Sequence, residues 1–118
     1  MMQYQPSNIQ SMTPSFPTGT IIVFDTEYTS WEGAKERAWS GPNEHREVVQ
    51  IAAQKVDVAA ECVLDTFSAV VRPRINPTLS TFFIELTHIT QAQVDTEGED
   101  FAVVYPAFMA WCGEWSIH

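Results

Sequence analysis

The chain has 118 residues, enough for one domain at most and a single hydrophobic core. Hydrophobic residues make up 45% of it and charged residues 18%, a balance that excludes a disordered chain. Six basic against fifteen acidic side chains give a net charge of −9, which argues against a broad electrostatic footprint on nucleic acid or an anionic membrane.

Residues 1–18 are rich in Pro, Ser, Gln and Thr and read as a flexible leader, without the basic start and apolar run of a secretory signal. "TIIVFDTEY" (20–28) has the β-branched and aromatic content of a strand, and its unbroken apolar run predicts a strand buried on both faces. The Gly, Pro, Asn and mixed charges of 29–46 predict a long loop with one helical turn, carrying Trp31 and Trp39. "EVVQIAAQKVD" (47–57) is a second strand, and alternation puts Val49, Ile51 and Ala53 on one face and Val48, Ala52 and Val56 on the other. A short link then leads into "CVLDTFSAVVRP" (62–73), a third strand closed by Pro73, and favours an antiparallel hairpin.

Residues 76–86 read as a short helix after a proline, and "TQAQ" (90–93) has the capping-box pattern of another. Phe101, Val104, Phe108, Trp111 and Trp115 recur at spacings of three and four, the stripe of a third helix that Pro106 either kinks or begins. No stretch is long enough to span a bilayer, so no membrane association is expected. Cys62 and Cys112 match no zinc spacing and read as reduced core thiols, which points to a cytoplasmic setting.

Asp25 and Glu27 stand at i and i+2 of the first strand, on one face and about 7 Å apart along it. Two carboxylates that close repel one another and are costly beside a core, so something positive belongs between them. Their hard oxygen donors suit Mg²⁺ or Mn²⁺, and two such ions about 3.5–4 Å apart form a recurring device for in-line displacement at phosphorus. Taken alone, the tripeptide is common and more often marks salt bridges, here to Arg37 or Arg46, or solvent at a strand end.

Three segments in order change that balance. "IIVFDTEYT" resembles the first motif of the DEDD exonuclease superfamily, "EHREVVQIAAQKVD" its second strand, and "FSAVVRPRINPTLSTFFIELTHIT" the stretch in which V-R-P and a P-x-L-S helix precede L-T-G-I-T. The resemblance is to the DEDDh subgroup and spans roughly residues 20–115. It implies an α/β, RNase H-like mixed sheet with flanking helices, cut short after three strands and the helices that follow them, so that 19–118 is the N-terminal part of an exonuclease domain. It also implies metal-dependent 3′→5′ removal of nucleotides from single-stranded RNA or DNA ends.

By the same resemblance Asp25 bridges two metal ions, Mg²⁺ or Mn²⁺, and Glu27 holds the one that activates the attacking water. Thr26 lies within that motif, and Leu86 and Thr87 fall where family members contact the terminal nucleotide. His88 stands where the family has Gly, either adding a contact with the base or filling space. The pattern calls for two further acidic ligands and a general-base histidine. Asp57, Asp65, Asp95 and Asp100 lie in segments with other assignments, and His118 is terminal.

A base in reach contributes about 10²–10⁴-fold, so this polypeptide alone is expected to be a very poor nuclease. The alternative is a non-catalytic binding or regulatory remnant of the fold. The first strand would form a sheet edge, which predicts self-association or a partner that covers it. Arg72 and Arg74 read as solvated surface residues rather than a basic stripe. Trp31 and Trp39 read equally as base-stacking platforms or as anchors of their loop.

Overall fold

Three strands and three helices follow one another along the chain in a computed structural model that describes residues 19–113. The expected leader (1–18), Trp115 and His118 lie outside the described residues. Strands β1 (Thr20–Tyr28), β2 (Val48–Asp57) and β3 (Cys62–Val70) form one antiparallel sheet in the order β1-β2-β3. A bridge between Val71 and Glu99 is the one isolated parallel pairing among the described residues. Helices α1 (Thr81–Thr87), α2 (Gln91–Glu97) and α3 (Phe101–Cys112) follow.

The β2–β3 link is a tight turn: Asp57 accepts the Ala60 N–H at 2.9 Å, and Glu61 takes a left-handed φ of 54°. β3 stops at Val70, three residues before Pro73. There Val71 donates to the Val49 carbonyl and Arg72 to the Glu99 carbonyl, so the chain leaves the ladder before proline could end it. Each helix opens on the side chain its sequence offers. Ser80 accepts from Phe83 N, Thr90 from Gln93 N and Asp100 from Ala102 N, each satisfying an N–H that the first turn would leave unpaired. α3 begins at Phe101 and runs through Pro106, which is therefore not its start. In a regular ladder the missing N–H would have met the Ala102 carbonyl.

The core lies on both sides of the sheet. Ile22, Ile51, Ala53 and Val71 pack with Val104, Phe108 and Cys112 of α3, and Phe24 and Phe67 set their rings 5.8 and 5.3 Å from Phe108. Val49 and Val70 pack with Leu79, Phe83, Ile89 and Val94, which belong to α1, α2 and their approaches. A Val, Ile, Leu or Phe side chain fully buried among these contributes about 1.5–3 kcal/mol.

Strict alternation along β2 fails at one place. Glu27 pairs with Gln50 but Tyr28 with Val48, so Val49 is an extra residue in β2. A bulge there resets which side faces which way. Val48 packs against the α3 cluster with Ile51 and Ala53, and Val49 joins the α1–α2 cluster, the reverse of the expected assignment.

Two other expectations are corrected. Of the thiols, Cys112 is buried but Cys62 is exposed, at the start of an outer strand whose first five residues are all exposed. β1 is only partly covered, with Ile22 its one buried residue. Among the described residues, no helix is long and apolar enough to cross a membrane.

Candidate functional site

The bulge sits at the end of β1 where the carboxylates are. Asp25 pairs with Ala52 and Glu27 with Gln50, which places both on the sheet face opposite Ile22 and Phe24, away from α3. Both are half-buried. Burial, and next the charge of Asp25 beside it, raise the Glu27 carboxyl above its ordinary value. The pair carries the electrostatic cost that its spacing implies.

A cleft of about 370 Å³ opens beside them, and Asp25, Thr26, Glu27, Leu86 and Thr87 all line it. The fold thus brings together five of the six residues singled out from sequence, across some sixty positions of chain. Thr26 belongs by alternation to the opposite face from its two neighbours, opposite Ile51. Leu86 is 63% exposed and presents apolar surface at the rim. The Thr87 hydroxyl is already engaged: it donates to the Phe83 carbonyl at 2.9 Å and accepts from Ile89 N at 3.2 Å.

His88 is the sixth, and it does not line this cleft. It caps α1 in the left-handed conformation (φ 65°), donating its backbone N–H to Ile84. That conformation favours glycine, which accounts physically for a Gly at this point of the pattern. His88 keeps the turn at a conformational cost and stands exposed.

The opposite wall comes from the 29–46 loop, through Trp31, Lys35, Glu36 and Trp39. Consecutive left-handed residues, Ala38 and Trp39, swing the chain back toward β1. The Trp39 indole donates to the Thr29 carbonyl at 3.0 Å and lies 5.4 Å from the Tyr28 ring, with the Arg46 guanidinium 4.2 Å from its centroid. Trp39 is therefore both loop anchor and cleft wall. Arg37 is paired with Glu44.

Sequence reasoning missed what holds this wall. Thr29, a buried polar residue, donates its hydroxyl to the His45 carbonyl at 2.7 Å and accepts from Glu47 N at 3.0 Å. The Glu47 carboxylate in turn accepts the N–H groups of Arg74, Ile75 and Asn76 at 2.8–3.0 Å. The Ser80 hydroxyl, besides capping α1, donates to the Ser30 carbonyl. These contacts link β1, the loop and the entry to α1 into one frame around the cleft. A Glu at the start of a strand gave no sequence signal for this role, because its three donors lie 27–29 residues away.

Arg72 bonds the Asp95 carbonyl and Arg74 pairs with Asp100 at the surface, as expected. Asp25 and Glu27 offer hard oxygen donors of the kind that Mg²⁺ or Mn²⁺ takes. Among the described residues, no group of three or more His, Cys, Asp or Glu is assembled for a metal ion. The donor set fits part of a cation's coordination.

Comparison with known proteins bears on the family and the fold. The family profile described as "Exonuclease" matches residues 22–118. The chain is 35% identical over 91 residues to ERI1 exoribonuclease 2 of Danio rerio, covering 77% of this chain and 15% of that protein. It is 34% identical over 91 residues to human 3′-5′ exoribonuclease 1, covering 77% of this chain and 24% of that one. The solved nuclease domain of 3′hExo, a DEDDh family member bound to rAMP, superposes with a TM-score of 0.67 at 32% identity, over 80% of this chain and 44% of that chain. The chain thus spans less than half the length of each of these relatives. With three antiparallel strands and three helices that superpose on a DEDDh nuclease domain, this chain belongs to the exonuclease family, within the DEDDh 3′→5′ exonuclease superfamily.

Proposed function

We propose that this chain carries the first half of a metal-dependent 3′→5′ exonuclease site for single-stranded nucleic acid ends. The observation that carries it is the shared cleft: Asp25 and Glu27 on one wall, Leu86 and Thr87 on another. Asp25 and Glu27 would hold Mg²⁺ or Mn²⁺, which when bound supplies charge neutralisation and an activated water for displacement at phosphorus. Leu86 offers an apolar edge to the terminal base, and the helix end around Thr87 fixes where that nucleotide stops. Thr26 keeps the two carboxylates in register by pairing with Ile51. The raised Glu27 carboxyl supports this reading, because a cation would relieve the repulsion behind part of it.

Two carboxylates do not complete a two-metal site, so the 118-residue polypeptide is itself a very poor nuclease. A second reading is a module that binds single strands without cutting, since among the described residues no third ligand joins the two carboxylates. Among the described residues the outer edge of β1 has no paired strand in the three-strand order, and it is the surface through which the chain would associate with itself or a partner.

Calorimetric titration with Mg²⁺ and Mn²⁺ tests the metal assignment, with weak uptake expected in the wild type and none in Asp25→Asn or Glu27→Gln. Equal uptake by all three overturns it. A labelled oligonucleotide degraded at an ordinary enzymatic rate, and spared by Asp25→Ala, would overturn the claim that the polypeptide alone is poorly active.

A further inference from the structure

The chain has six Lys and Arg side chains, and the structure accounts for five. Arg37 pairs with Glu44, Arg74 with Asp100, and Arg72 donates to the Asp95 carbonyl. Arg46 lies over Trp39, and Lys55 sits 4.6 Å from the centroid of Trp111. Lys35 remains. Its ammonium has no hydrogen bond, ion pair or ring contact among the described residues, it is exposed, and it lines the cleft that holds Asp25 and Glu27.

A cation left unpaired in a chain of net charge −9 is notable for its surroundings, since fifteen carboxylates are available to pair with it. It stands on the same wall as Trp31, a half-buried indole one helical turn earlier in the loop. Alternating cation and aromatic surface is how proteins grip single strands, the cation on phosphate and the ring on a base face.

We infer that Lys35 and Trp31 form a substrate-gripping subsite for single-stranded nucleic acid: Lys35 contacts one backbone phosphate and Trp31 stacks on an adjacent base. The inference rests on the reading of the cleft as a site for strand ends, and it deepens that reading by assigning affinity to the loop rather than to the carboxylates. It also narrows the charge objection: Lys35 supplies a local attraction for phosphate in a cleft whose other charged lining residues, Asp25, Glu27 and Glu36, are acidic.

The experiment measures binding without chemistry. Fluorescein-labelled single-stranded 10-mers of RNA and of DNA are titrated with the 118-residue chain carrying Glu27→Gln, in EDTA, across a range of salt concentrations. Each phosphate contact to a single strand contributes about 0.7 to the slope of log K against log salt. Lys35→Gln is expected to lower that slope by about 0.7, and Lys35→Arg to restore it. Trp31→Leu, which keeps apolar volume, is expected to weaken binding about tenfold with the slope unchanged, since stacking on a base is salt-insensitive relative to a phosphate contact.

An unchanged slope in Lys35→Gln, or no measurable binding by the parent chain, overturns the inference. Unchanged affinity in Trp31→Leu overturns the stacking half of it. Circular dichroism of each variant confirms the fold, and a Trp31→Leu that unfolds is replaced by Trp31→Phe, expected to weaken binding less than tenfold. No metal or cleavage enters these measurements, so their failure leaves the titrations of Asp25 and Glu27 standing, and the reverse also holds.

Discussion

Replacing Glu47 by alanine tests whether the frame around the cleft is held as described. The carboxylate accepts from Asn76 and Ile75 through Oε1 and from Arg74 and Ile75 through Oε2. A hydrogen bond to a charged group contributes a net of about 1.5–3 kcal/mol. Arg74 and Ile75 are exposed and recover water when the carboxylate goes, whereas Asn76 is half-buried and recovers less. Discounting for that recovery, Glu47→Ala is expected to cost about 2–4 kcal/mol. Glu47→Gln keeps one accepting oxygen, and with it the bonds to Ile75 and Asn76, so it should cost only about 1–2 kcal/mol.

Burial works to raise the Glu47 carboxyl, but the N–H groups of Ile75, Asn76 and Arg74 outweigh it and leave the folded value below the ordinary one. A depressed folded value makes the contribution fully present above the unfolded value, roughly pH 4.3, and lost as pH falls through the folded value. Urea unfolding of wild type, Glu47→Gln and Glu47→Ala at pH 7 should therefore rank them in that order. The gap between wild type and Glu47→Gln should narrow below about pH 4. If Glu47→Ala lies within about 0.5 kcal/mol of wild type at pH 7, the carboxylate does not organise residues 74–76, and the account of the frame is wrong.

Gly98→Ala is expected to cost about 1–3 kcal/mol, because a Cβ there would lie 2.4 Å from the Val94 carbonyl oxygen and 3.2 Å from Arg72 N, where α2 ends against the Val71–Glu99 bridge. A melting temperature unchanged within a degree would refute that close approach. The edge of β1, unpaired among the described residues, is expected to produce concentration-dependent association in sedimentation velocity, suppressed by Val23→Lys, which places a charge on the edge strand and leaves its backbone pairing with Gln54 in place. A monomer at every concentration, with good solubility, would count against the edge as an interface.

Local chemistry was readable without coordinates. The apolar runs of β1 and β2, the turn at 58–61, the Thr90 cap and the periodic stripe of α3 depend on neighbours a few residues apart, so the sequence alone contains the cause. The same holds for Asp25 and Glu27, whose shared face follows from the period of a strand.

What lay beyond reach depended on distant partners. The bulge at Val49 is decided by β1 pairing with β2, and it reversed the faces of Val48 and Val49 against a sound alternation argument. Cys62 reads like Cys112 by composition, yet one is exposed and the other buried, because α3 packs over one end of the sheet and leaves the start of β3 uncovered. The role of Glu47 appears only when residues 74–76 fold back onto it, and Lys35 is distinguished only once every other cation has found its partner. Periodicity and capping act over one turn or one strand, whereas pairing, burial and charge neutralisation are settled among groups that the fold alone brings together.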